Sequence, residues 1–125
     1  ELIAALRAAG VPLAIATGKS NLGLRRALES AGLSDAFSAT RCADQTHPKP
    51  HPAMLLELAD ELMVAPERTL MVGDTTHDLQ MAAAANAAAV GMTQGAHPLE
   101  QLAACRPLAL FDSLAELHRW LMPER

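Results

Sequence analysis

The sequence predicts an α/β fold, a mainly parallel sheet with helices on both faces. Two observations carry that prediction. Short apolar runs, each closed by a polar or glycine-containing turn, alternate with longer stretches whose apolar positions recur at helical spacing. Short strands separated by helices supply the crossover connections that a parallel sheet needs. A third observation concerns the core: half of the 125 residues are apolar, yet aromatics make up only 2%. The interior must therefore be built from Leu, Ile, Val and Met packed around small helix faces.

The elements follow in order. ELIAALRAAG places Leu2, Ile3, Leu6 and Ala9 at helical spacing, with Gly10 where a left-handed helix stop is wanted. Nothing precedes that helix to cap it and the first residue is not Met, so the start is expected to be the middle of something longer. Residues 11–16, VPLAIA, predict the first strand, with Pro12 near its beginning where a strand tolerates proline. Ser20 is the cap of the next helix, whose Leu24, Ala27, Leu28 and Ala31 share a face before Gly32 ends it.

Residues 37–42 predict a second strand. The loop ADQTHPKPHP follows, where Pro48, Pro50 and Pro52 forbid helix and favour extended backbone. Pro52 suits the first turn of a helix carrying Leu55, Leu58, Ala59 and Leu62. Residues 69–72 predict a strand, 76–85 a helix and 87–92 another strand. A short helix after Pro98, a strand over 108–111 and a helix capped by the Ser113-x-x-Glu116 box complete the pattern.

Composition excludes several functions. The net charge is −4 and the basic residues are scattered singly apart from Arg25 and Arg26, so nucleic acid is not expected as a partner. Cys42 and Cys105 lie far apart with no CxxC and no nearby His pair, which suggests neither a zinc site nor a disulfide framework. Both are expected to be buried thiols of a cytoplasmic protein. No signal peptide is evident, and no apolar run reaches the roughly 20 residues that span a bilayer, so no membrane association is expected.

In parallel sheets ligands bind at the carboxyl ends of the strands, and three such ends carry suitable polar residues. Thr17 and Gly18 close the first strand: a hydroxyl and free amides make a phosphate contact, or else the pair merely turns the chain. Lys49, one of two lysines, is held between Pro48 and Pro50, which limits the entropy lost in aiming it; the alternative is a solvated loop lysine. LMVGDTTHD places Asp74 just past a strand, where a hard cation such as Mg²⁺ would find a carboxylate with room for waters and a phosphate. Asp78, in the first turn of the following helix, either faces the same crevice or completes a capping box with Thr75.

ATGKS, the HPKPHP lysine and MVGDTTHDLQMA together resemble the second, third and fourth motifs of the haloacid dehalogenase-like hydrolase superfamily. More narrowly they are similar to the phosphoglycolate-phosphatase-like branch of its first subfamily, with the likeness running from the first helix to about Gly95. That resemblance implies a Rossmann-like core and a Mg²⁺-dependent phosphatase of small phosphorylated metabolites that works through an aspartyl-phosphate. It implies that Thr17 and the Gly18 amide hold phosphoryl oxygens and that Lys49 offsets their charge. Asp74 would ligate Mg²⁺, while Asp78 would steady Lys49.

The first motif of that superfamily, DxDxT or DxDxS, is absent. The aspartates are Asp35, Asp44, Asp60, Asp74, Asp78 and Asp112, and none has another two residues later. The resemblance places the missing strand between the Thr17 strand and the Asp74 strand, where its loss would leave two interior edges unpaired. Residues 1–125 are therefore expected to form a single partial core domain, without the cap that shapes substrate choice and inactive alone. An N-terminal segment, or a second copy in a homo-oligomer, would complete the sheet. The alternative is a non-catalytic domain that binds Mg²⁺ or phosphate. A signalling receiver is disfavoured, because receivers place their acids before the lysine.

The remaining expectations are structural. His47, His51, His77 and His97 are expected to be solvated loop residues. Met54, Met63, Met71, Met81, Met92 and Met122 are expected to fill the core, and Trp120 to anchor the last helix. Asn86, where the superfamily often has glycine, tolerates a left-handed helix stop.

Overall fold

The computed structural model describes residues 2–95 and 97–123. Its elements are α1 (Leu2–Ala8), β1 (Ala14–Ala16), α2 (Asn21–Ala31), β2 (Ala39–Arg41), α3 (Ala53–Glu61), a single 3₁₀ turn (Pro66–Arg68), β3 (Leu70–Gly73), α4 (Thr76–Ala84), β4 (Ala88–Met92), α5 (Leu99–Ala104), β5 (Leu110–Phe111) and α6 (Leu114–Leu121). Each strand and helix predicted from the sequence forms in its place; Glu1, the first residue of the first predicted helix, lies outside the described residues.

The helix ends follow the local signals. Ser20 Oγ accepts from the Gly23 N–H at 3.1 Å, and Gly32 ends α2 in the left-handed conformation at φ 70°. Asn86 ends α4 at φ 61°, a conformation it tolerates better than most side chains. Strand β1 is shorter than predicted. The Val11 N–H is spent on Leu6 O, closing α1, and Pro12 has no N–H, so the ladder begins at Ala14.

Every ladder is parallel. β1 pairs with β2 from Ala14 opposite Ala39 to Ala16 opposite Arg41, and β3 pairs with β4 from Leu70 opposite Ala88 to Gly73 opposite Gly91. β4 then pairs with β5. The strands form two sheets, β1-β2 and β3-β4-β5, and among the described residues no ladder joins β1 to β3. Val72 of β3 is accordingly 40% exposed, although strands of parallel sheets are ordinarily covered.

Side chains hold the two sheets together. α3 packs on β1 and β2, α4 packs on β3 and β4, and α1 touches α6. Met54 and Leu55 from α3, Leu79, Met81 and Ala82 from α4 and Leu102 from α5 form one buried cluster, against which Ala16 of β1 and Met71 of β3 both pack. Burying each large aliphatic side chain contributes about 1.5–3 kcal/mol, so this cluster is the main tie between the halves.

Two expectations about single residues need correction, those for Met63 and Cys105. Met63 does not fill the core: it is 88% exposed, because it follows α3 in a left-handed turn that carries its side chain outward. Cys42 is fully buried, with burial first and the Asp44 charge second pushing its thiol pKa up, but Cys105 at the end of the short α5 is only half-buried. Trp120 packs on Phe111 at 5.5 Å between ring centroids while remaining partly exposed. Among the described residues no helix is long and apolar enough to cross a membrane.

Candidate functional site

The carboxyl ends of β1 and β3 open onto one cavity of about 420 Å³, whose lining includes Ala16, Lys49, Val72, Asp74, Asp78 and Gly95. Three of the predicted site residues, Lys49, Asp74 and Asp78, thus converge.

Asp78 is the most constrained of them, at 3% exposure. Its Oδ2 accepts from the Asp74 N–H at 3.1 Å, the Thr75 N–H at 3.2 Å and the Thr75 hydroxyl at 3.0 Å. Thr75 Oγ1 in turn accepts from the Asp78 N–H at 3.2 Å, which completes the capping box. The other oxygen, Oδ1, meets Lys49 Nζ at 2.5 Å. The two sequence-level alternatives for Asp78 are therefore both realised, one on each carboxylate oxygen.

Lys49 arrives from a loop that is tied down at several points. Its Nζ also donates to Ala16 O at 3.4 Å, reaching the end of β1. Upstream, Gln45 Oε1 accepts from the Cys42 N–H at 2.8 Å, and Thr46 donates to Glu57 Oε2 at 2.7 Å. Glu57 Oε1 accepts from Arg41 Nε at 3.0 Å, and Arg41 Nη1 meets Glu61 at 2.8 Å. Downstream, His51 Nδ1 accepts from the Ala53 N–H at 3.0 Å while its ring stacks on His47. The hydrogen bonds from Thr46 and Arg41 hold the Glu57 pKa below the usual glutamate range, and the two carboxylates raise that of Arg41.

Asp74 is different in kind. Its side chain is exposed, and among the described residues its carboxylate has no hydrogen-bond partner. It leans on Gly95, where an added Cβ would fall 2.4 Å from Asp74 Cβ. Among the described residues no group of three His, Cys, Asp or Glu side chains converges as a metal cage. Asp74 offers one exposed carboxylate to the cavity, which suits Mg²⁺, an ion that takes one or two carboxylates and completes its shell with water and phosphate oxygens.

Thr17 and Gly18 do not line the cavity, although Ala16 beside them does. The Thr17 N–H donates to Arg41 O at 3.1 Å, and its Oγ1 accepts from the Lys19 N–H at 3.1 Å, so the hydroxyl hydrogen is left to donate. A Cβ added at Gly18 would meet nothing within 4 Å. Asp44, not singled out from the sequence, accepts from the Asn21 N–H with both oxygens and so holds the start of α2 beside Thr17 and Gly18.

Two further groups were not legible in the sequence. Glu57 carried no signal beyond an acid on a helix. His97 was expected to be solvated, yet it is half-buried and its Nδ1 accepts from the Thr76 N–H at 3.0 Å. An intervening distance of 21 residues hides that contact from any local pattern.

Residues 1–86 match the family model described as haloacid dehalogenase-like hydrolase. The chain is similar to a probable phosphatase IndB from Dickeya dadantii (strain 3937), with 43% identity over 118 residues, covering 94% of this chain and 51% of that protein. It is similar to a phosphoglycolate phosphatase from Salmonella paratyphi A, with 36% identity over 118 residues, covering 94% of this chain and 47% of that protein. A crystal structure of a hydrolase from Deinococcus radiodurans R1, with bound phosphate and sodium, matches at a TM-score of 0.88 and 30% identity, covering 96% of this chain and 56% of that one. The chain spans about half the length of the curated relatives it matches.

Proposed function

The chain belongs to the haloacid dehalogenase-like hydrolase family, and from that premise we propose that it is the phosphate- and metal-binding half of a phosphoric monoester hydrolase. Its substrates would be small phosphorylated metabolites. The observation that carries this reading is the meeting of the Lys49–Asp78 pair with the exposed Asp74 carboxylate in one cavity at the ends of β1 and β3. The phosphate and sodium bound in the Deinococcus relative support it.

Lys49 presents its ammonium toward the space where phosphoryl oxygens would sit, and Asp78 holds that ammonium in place before any substrate arrives. Such preorganisation matters because phosphoryl transfer draws mainly on positioning and charge stabilisation. Thr17 and Gly18 lie outside the cavity but directly follow Ala16, which lines it, and would donate the Thr17 hydroxyl hydrogen and the Gly18 amide to phosphoryl oxygens at that edge. Asp74 would hold Mg²⁺, which when bound supplies positive charge to the phosphoryl group.

The attacking group must come from elsewhere, since none of the six aspartates has another two residues later. We place it on a parallel strand between β1 and β3 contributed by an N-terminal segment; a second copy of the chain, which carries the same six aspartates, could complete the sheet but not supply this group. That strand would satisfy the free backbone edges and bring an aspartate to the cavity mouth, where it would form an aspartyl-phosphate. The protein is read as cytoplasmic, with no nucleic-acid or membrane partner.

The test is complementation. The chain alone should give no turnover of p-nitrophenyl phosphate with Mg²⁺, whereas co-expression with the amino-terminal half of the Dickeya relative should restore turnover that Asp74→Ala abolishes. A folded, complemented complex that binds phosphate without turning it over would favour the non-catalytic reading. Turnover by the chain alone, lost in Asp74→Ala, would locate the nucleophile within these residues.

A further inference from the structure

Asp74 has a fixed backbone and an exposed side chain, which raises the question of what locates its carboxylate. Its N–H is held by Asp78 Oδ2 at 3.1 Å. The side chain, by contrast, has no hydrogen-bond partner among the described residues, and what it rests on is Gly95. An added Cβ at Gly95 would fall 2.4 Å from Asp74 Cβ and 2.7 Å from Oδ2, so the backbone there forms a wall against the carboxylate. Whatever fixes Gly95 fixes one side of the space open to Asp74.

Two residues on, His97 makes a contact of its own with the start of α4. His97 Nδ1 accepts from the Thr76 N–H at 3.0 Å and lies 3.1 Å from the Thr76 hydroxyl. A backbone N–H can only donate, so Nδ1 is the unprotonated nitrogen and the ring hydrogen sits on Nε2. Thr76 opens α4, and its N–H is one of the donors that a helix start leaves unpaired. The capping box uses the Thr75 and Asp78 groups and leaves this donor over. His97 takes it, with the His77 ring packed edge-on against its own at 5.6 Å between centroids.

We propose that His97 is a positioning residue for the metal-ligating carboxylate: by tying the segment after β4 to the start of α4, it presses Gly95 against Asp74. The inference rests on the reading of Asp74 as the Mg²⁺ ligand. His97 itself does not line the cavity. Groups that orient a metal ligand from behind commonly account for about 10- to 100-fold in metal affinity. Asparagine carries an acceptor oxygen close to where Nδ1 lies in histidine, so it can take the same Thr76 N–H.

The experiment is a Mg²⁺ titration by calorimetry on the protein and on His97→Ala, His97→Asn and Asp74→Asn, with Thr76 amide exchange followed by NMR in the same samples. His97→Ala should weaken Mg²⁺ binding by roughly 10-fold or more and speed Thr76 exchange, and His97→Asn should restore both. Unchanged Mg²⁺ affinity in His97→Ala, with binding lost in Asp74→Asn, overturns the role of His97 alone. Equal Mg²⁺ binding by Asp74→Asn and the parent, or none by the parent, overturns the reading of Asp74. In that event Thr76 exchange still decides the tie, since an unchanged rate in His97→Ala shows there is none. Failure of His97→Asn to restore either quantity reduces His97 to a packing residue.

Discussion

Asp78 divides its two carboxylate oxygens between Lys49, 29 residues away, and the start of its own helix. One oxygen meets the lysine ammonium and the other gathers the Asp74 and Thr75 donors. The same group that ends the turn after β3 therefore aims the cation. Removing it leaves a part-buried lysine and three orphaned donors.

Asp78→Ala should consequently destabilise the protein by about 3–5 kcal/mol, the usual cost of breaking one side of a buried ion pair. Lys49→Met should cost distinctly less, because Asp78 keeps its three other hydrogen bonds, while phosphate binding is lost. Urea unfolding and a phosphate titration on the two variants check the order. Equal losses of stability would mean that the cap contributes nothing beyond the pair.

Asp74→Asn should separate binding from folding. The side chain is exposed and without a protein partner among the described residues, so stability should stay within about 0.5 kcal/mol of the parent. Mg²⁺ binding should fall below detection. A large drop in melting temperature without metal present would show that the carboxylate serves the fold.

Gly73 and Gly91 stand opposite each other in the β3-β4 ladder but should respond differently to alanine. A Cβ at Gly73 would fall 2.2 Å from Asp78 Cβ and 2.6 Å from its Oδ2, a side chain held in place by Lys49, the Asp74 N–H and the Thr75 N–H and hydroxyl. Gly73→Ala should cost about 1–3 kcal/mol and disturb the Lys49–Asp78 pair. At Gly91 the close atom is Leu110 Cδ2, the far end of a side chain that can turn aside, so Gly91→Ala should be the milder change. Denaturant midpoints for the two variants settle the comparison.

Glu57 gives the protein an acid-sensitive tie. Its pKa is held down by the Thr46 hydroxyl and then by Arg41, so it binds protons less readily folded than unfolded. The stability it contributes is complete above the ordinary glutamate range and is lost as the pH falls through its lower folded value. The melting-temperature gap between the parent and Glu57→Gln should therefore close on acidification from pH 7. A gap that widens in acid would contradict the sign.

The order of elements was legible because its signals act over a few residues. Gly10, Gly32 and Asn86 stop helices through their own φ, and Ser20, Thr75 and Ser113 cap them through donors three residues on. Pro12, Pro48, Pro50 and Pro52 restrict the backbone wherever they stand. The same locality placed Asp74 just past β3 and Thr17 just past β1, at the end of the sheet where ligands bind.

What tertiary structure alone decided are the pairings between distant residues. No periodicity indicates that Asp78 serves Lys49 and its own helix at once, that Glu57 joins Arg41 to Thr46, or that His97 takes the donor left over at the start of α4. Met63 shows the same limit from the other side: an apolar residue was assigned to the core by its type, and a left-handed turn carried it into solvent. Hydrophobic patterning sets which face of an element is buried, but it does not set which polar partner waits there. That depends on how helices from different parts of the chain meet over two sheets that share a core and, among the described residues, no ladder.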